Sequence, residues 1–152
     1  MKKFIYSLAA LLTLATGFTA CSDDNDDPSY DYTTTAEVGS AGTYSGTWTR
    51  VSDESTDTFS GSVTLAAGSQ TGLTNVTFSC PDASLAANSI ANVWHSNDGY
   101  QFVNQMVSST NTLGASFSGR VSGSGELTTA FTISQKIGRK TYSFKYSFIG
   151  KR

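Results

Sequence analysis

Between Lys140 and Ile149 the chain alternates without a break. Tyr142, Phe144, Tyr146 and Phe148 hold one parity, and Thr141, Ser143, Lys145 and Ser147 hold the other. Successive side chains of a β-strand point to opposite faces. Such a run therefore needs one dry face and one wet face, the condition met by an antiparallel sheet with a single buried side.

Seven further runs of the same texture precede it, separated by Gly, Asn, Asp and Ser. The pattern predicts strands over Thr43–Val51, Thr58–Ala67, Gly72–Cys80, Ser89–His95, Tyr100–Ser109, Gly114–Ser122 and Glu126–Gln135, with the eighth over Lys140–Ile149. Strands at regular short spacing with turn signals between them indicate a sandwich or a barrel. In the third strand Leu73 and then Val76 and Phe78 switch parity, which predicts a bulge near Thr74 and Asn75. In the fifth, Tyr100, Phe102, Asn104 and Met106 share a face. Pro81 to Asn88 reads as a connector able to hold one helical turn. Ser96-Asn97-Asp98-Gly99 reads as a hairpin turn, because Asp-Gly tolerates the backbone such turns need. Eight half-buried strands must protect their edges, and closure into an up-and-down barrel removes them. The expected fold is thus all-β, an eight-stranded antiparallel barrel over residues 40–152.

The first forty residues have a different character. Lys2 and Lys3 precede an apolar run from Phe4 to about Leu14, followed by small and polar residues up to Cys21. That is the layout of a secretory signal, and the run is too short to cross a bilayer as a helix. Residues 1–20 are read as a signal peptide. Cys21 resembles the lipobox cysteine of bacterial lipoproteins, whose thiol is acylated and becomes the new N-terminus, with Phe18 and Thr19 departing from the strict pattern. Residues 21–39, rich in Asp, Ser and Thr, read as an acidic disordered tether. Asp23, Asp24, Asp26 and Asp27 resemble an export signal of surface lipoproteins. The expected location is the outer membrane, lipid-anchored and facing the cell exterior. Stable anchoring takes more than one acyl chain, as the lipoprotein resemblance implies.

Charge is distributed unevenly. The whole chain carries a formal −2, and loss of Lys2 and Lys3 makes it −4. From Val38 on, eight bases outnumber six acids. Six of those bases fall after Ile133, where there is no acid. Such a block reads either as a solvated face or as an anion-binding rim turned toward an acidic cell surface. No nucleic-acid-binding motif accompanies it, so no nucleic-acid partner is expected.

Gly42-Thr43-Tyr44-Ser45-Gly46-Thr47-Trp48 opens the domain. Phe117-Ser118-Gly119-Arg120-Val121, Gly125-Glu126-Leu127-Thr128 and the Tyr142–Gly150 strand close it. These stretches resemble the calycin-like β-barrel domain of Bacteroidota-type surface lipoproteins, over roughly Val38 to Arg152. The wider calycins (lipocalins, fatty-acid-binding proteins, avidins) share a Gly-x-Trp on the first strand, matched by Gly46-Thr47-Trp48. In lipocalins a basic residue after the last strand packs over that Trp. Lys151 and Arg152 are the residues placed to do so here.

Catalytic signatures are missing from the sequence. There is one His, His95, and no pair of metal-ligating residues at a recognisable spacing. No phosphate loop, nucleophile elbow or dinucleotide fingerprint occurs. Asp53, Glu54 and Asp57 lie close together but read as solvated acids of the first turn rather than a glycosidase pair. Cys80 reads as a small buried hydrophobe. No catalytic residue, metal or cofactor is expected. The expectation is a non-enzymatic module binding a small, largely apolar ligand inside the barrel, lined by Tyr44, Trp48, Tyr100, Phe102, Phe117, Phe131, Tyr142 and Phe144. The alternative is a filled barrel acting as an accessory subunit of an outer-membrane assembly. An enzyme on the same scaffold is a third reading, which fold alone does not exclude.

Overall fold

The structure, a computed structural model, describes residues 33–105 and 111–152. The signal peptide, Cys21, the acidic stretch after it and Met106 lie outside the described residues. Eight strands form a closed antiparallel barrel in simple chain order. They are β1 (Gly42–Val51), β2 (Thr56–Ala67), β3 (Leu73–Cys80), β4 (Leu85–Ser96), β5 (Gly99–Asn104), β6 (Phe117–Ser122), β7 (Glu126–Ile137) and β8 (Lys140–Lys151). Closure comes from β1 against β8, with Trp48 opposite Phe148.

The alternation decides which side chains go inside. On β8, Tyr146 and Phe148 are buried while Lys145 and Ile149 are exposed. On β1, Tyr44 and Trp48 are fully buried. The interior glycines follow from the rings. A Cβ on Gly61 would stand 2.6 Å from Trp48 Cδ1, and one on Gly119 would stand 2.2 Å from Phe102 Cζ. Each aromatic therefore lies over bare backbone, and any larger residue there would displace it.

Four local expectations change. There is no bulge in β3: it pairs continuously with β2 from Thr74 to Ser79 and with β4 from Leu73 to Cys80. Thr74 takes the interior position instead, and its hydroxyl donates to Ala66 O at 3.1 Å. A satisfied hydroxyl can be buried cheaply, so the polar residue did not have to leave the core. The connector after Cys80 is only a 3-10 turn over Pro81–Ala83, ended by Ser84 at φ 53°. Ala86 and Ala87, read as part of that connector, lie in β4, where Ala87 faces inward. Tertiary packing overrides propensity here.

The fourth change concerns the end of the expected tether. Ala36–Gly39 form a short helix, α1, with Ala36 and Glu37 buried against the barrel. Ser40 Oγ donates to Ala36 O at 2.7 Å, and Tyr44 Oη donates to Ser40 O at 2.7 Å. Glu37 accepts the Gly72 N–H at 3.0 Å, tying α1 to the β2–β3 turn.

Candidate functional site

The eight aromatics expected to line a ligand chamber divide into two groups. Tyr44, Trp48, Tyr100, Phe102, Phe117 and Phe131 are buried inside the barrel. Trp48 has ring centroids of Phe148, Phe131, Phe78 and Tyr146 at 4.9, 5.7, 6.1 and 6.4 Å. Phe78 in turn meets Phe117 at 5.0 Å and Phe131 at 5.3 Å. These are contact separations for aromatic rings. The middle of the barrel is filled by its own side chains, as an eight-stranded barrel permits. Tyr142 and Phe144 are only half-buried, at the far mouth opposite Gln135 and Ile133, with Phe144 packed against the edge of the core.

Polar groups inside are spoken for. Trp48 Nε1 donates to Ser79 O at 3.1 Å, and Thr129 Oγ1 to Ser118 O at 2.8 Å. Asn104 Oδ1 accepts the Phe117 N–H at 3.1 Å. Among the described residues no buried side-chain N or O lacks a partner. The interior therefore offers no waiting polar group to orient a ligand.

An arginine lies beside aromatic rings at each mouth. At the α1 end Arg152 donates to Gly39 O and Ala41 O at 3.0 and 2.9 Å, and its guanidinium lies 5.8 Å from the Tyr44 ring centre. The lipocalin-like expectation placed the basic residue over Trp48. Here it covers Tyr44, two pleat repeats nearer the α1 end. Burial pushes the Tyr44 phenol up. At the other mouth Arg50 pairs with Asp57 at 3.0 Å and lies 5.0 Å from the Phe59 ring centre and 5.9 Å from that of Phe144. The Arg50 guanidinium holds the Asp57 carboxyl below the usual range. Asp57 thus belongs to β2, ion-paired, and only Asp53 and Glu54 remain in the turn.

Cys80 is fully buried, with Sγ 3.8 Å from Ser60 O, and burial pushes its thiol up. A raised thiol is a poor nucleophile. His95 is half-buried with its ring 5.3 Å from that of Tyr100. Among the described residues no group of three His, Cys, Asp or Glu is placed to hold a metal ion.

Among the described residues a substantial concavity lies outside the barrel, a groove of about 780 Å³ across the outer face of β4 to β8. Register explains it. One transverse row runs Val103, Ser118, Ala130, Ser147; the next runs Trp94, Gln101, Arg120, Thr128, Ile149. Small side chains at Ser118, Ala130 and Ser147 form the low floor. Trp94, 43% exposed, and Ile149, 51% exposed, rise at the two sides. Strands about 4.8 Å apart put those sides about 19 Å from each other along the curved wall. Arg120 is held at the α1 end of the groove by its pair with Asp98.

Sequence reasoning missed this groove. Its signal was one large apolar residue at the wet parity of three separate strands: Trp94, Val103 and Ile149. Each alone is unremarkable, since scattered exposed apolar residues are normal. No protein-family model, curated protein or solved structure matches this chain.

Proposed function

We propose that this chain is a non-enzymatic binding module, held at the outer membrane by lipid on Cys21, that binds a small, largely apolar ligand in the external groove of β4–β8. The observation that carries this reading is the groove itself, apolar at Trp94, Val103 and Ile149, on a barrel whose interior is already occupied. Its volume falls in the range of about 300–1,000 Å³ typical of small-molecule sites. Gln101, Ser118 and Arg120 supply the few polar points that fix orientation. An open groove buries less of a ligand than a chamber does. Affinity in the tens of micromolar, about −6 kcal/mol, is the expected scale.

Trp94 is the reporter. An environment-sensitive fatty-acid analogue titrated into the protein should bind saturably and change the emission of Trp94, while Trp48 is shielded in the core. Ala130→Arg, which fills the floor, should abolish the response. Phe144→Ser, at the barrel mouth, should leave it intact. The reverse pattern would return the site to the mouth. No saturable binding by any form would overturn the small-ligand reading.

A second reading has its own support. The groove spans five strands, which also suits an extended segment of a protein partner in an outer-membrane assembly. In that case Ala130→Arg disrupts the assembly while the fatty-acid analogue never binds.

A further inference from the structure

The β7–β8 hairpin outlasts the barrel it belongs to. β6 pairs with β7 no further than Phe117 against Phe131, and β1 pairs with β8 no further than Val51 against Lys145. Beyond those rows β7 and β8 continue to pair with each other, down to Ile137 opposite Lys140. The result is a two-stranded ribbon whose base, Ile133 opposite Phe144, still packs on the core, while its exposed tip, closed by Gly138, at φ 64°, and Arg139, runs on past the wall. Its tip lies five residues past the Lys145 row, about 17 Å at the rise of an antiparallel strand. The chain enters the barrel at the opposite end, through α1.

Charge gathers on this ribbon. Lys136, Arg139 and Lys140 are at the tip and Lys145 at the base, all exposed. Glu126 is the last acid of the chain. The ion pairs among the described residues are Arg50–Asp57, Arg120–Asp98 and Lys151–Glu126, so none of these four cations is neutralised within the fold. Asp53, Glu54 and Asp82 lie on the turns at the same end of the barrel, at wall level. Their field at the tip is cut by a screening length of about 8 Å in physiological salt. Among those cations sits Ile137, 53% exposed.

We propose that the ribbon tip docks on an anionic lipid bilayer, with Lys136, Arg139 and Lys140 against headgroup phosphates and Ile137 in the headgroup–acyl boundary. A soluble polyanion would use the cations alone. Only a bilayer interface also removes the Ile137 side chain from water, so the combination of charge and apolar tip selects a lipid surface. This site is independent of the external groove and of the lipid on Cys21.

The test uses residues 21–152 carrying Cys21→Ser, so that no acyl chain contributes. Sedimentation is measured with phosphatidylglycerol-containing vesicles and with pure phosphatidylcholine vesicles. Binding to the anionic vesicles alone, weakened by salt, is expected. At about fivefold per removed charge, Arg139→Ser with Lys140→Ser should weaken it about 30-fold. Ile137→Ser should weaken vesicle binding about fivefold while leaving any binding to dextran sulfate unchanged. Ile137, Arg139 and Lys140 are exposed at the tip, beyond the rows that pack on the core, so these variants should keep the parent melting temperature. Equal binding to neutral and anionic vesicles, or none to either, would overturn the proposal. So would vesicle binding that ignores Ile137→Ser and is competed fully by dextran sulfate, which would make the tip a polyanion site.

Discussion

Phe78→Ala tests whether the barrel is filled. Phe78 is fully buried and touches the rings of Trp48, Phe117 and Phe131. Its neighbours across the sheet are Val63 on β2 and Ala87 on β4, too short to reach into the space it would vacate. Deletion therefore loses the transfer energy of the ring and leaves most of a cavity. Phe→Ala in such surroundings costs about 3–5 kcal/mol, and the poor prospects for collapse put this one near 4. For a domain spanning residues 33–152, 1 kcal/mol moves the melting temperature by about 4 °C, so the expected fall is about 15 °C. Whole-domain stabilities of about 5–15 kcal/mol leave the variant folded in the cold. Calorimetry with near-ultraviolet circular dichroism reads the shift. A cycle with Phe117→Ala should return a coupling of about 1 kcal/mol for the ring pair. A fall of less than about 5 °C with no coupling would mean that Phe78 borders an open chamber, and the filled-barrel reasoning would fail.

On the proposal that Cys21 carries the lipid, Cys21→Ser should leave the chain unacylated and release it from the membrane fraction in high salt, which also removes any electrostatic docking; undiminished membrane association with retained labelled fatty acid refutes this. Glu37→Gln should flatten the acid limb of the stability curve. The Gly72 N–H, then the Glu37 N–H, hold this carboxyl below its ordinary value of 4.5. Its contribution is thus present above 4.5 and lost as pH falls through the lower folded value. Melting temperatures followed downward from pH 6 should fall more steeply in the parent than in the variant, and parallel curves would exclude Glu37 from the linkage.

How much could be read in advance depended on how local the cause was. The strand count, the chain-order topology and the inward parity of Trp48, Phe102, Phe131 and Phe148 were all legible. A period of two is a property of consecutive residues, and it determines which face is dry before any partner strand is known. The cationic run after Ile133 was legible as composition. Strand ends were less so: Leu85 to Asn88 resembled helix because alanine preference is local, whereas the need for small side chains in that part of the core is not. Glu37 looked like one more tether acid, since nothing nearby in sequence announces that Gly72 supplies its hydrogen bond.

Sequence by itself determined that this chain makes a closed sheet with an aromatic inside, because alternation and edge protection admit few other arrangements. Whether that inside is hollow was decided only in three dimensions. Trp48, Phe78, Phe117, Phe131, Tyr146 and Phe148 come from five different strands, and closing the barrel brings their rings to within contact of one another. The external groove is likewise a product of register, which aligns Ser118, Ala130 and Ser147 into one low row. The free ribbon exists because β6 and β1 stop pairing before β7 and β8 do. Each of these is a relation between residues far apart along the chain, fixed by hydrogen-bond register and barrel closure rather than by any local pattern.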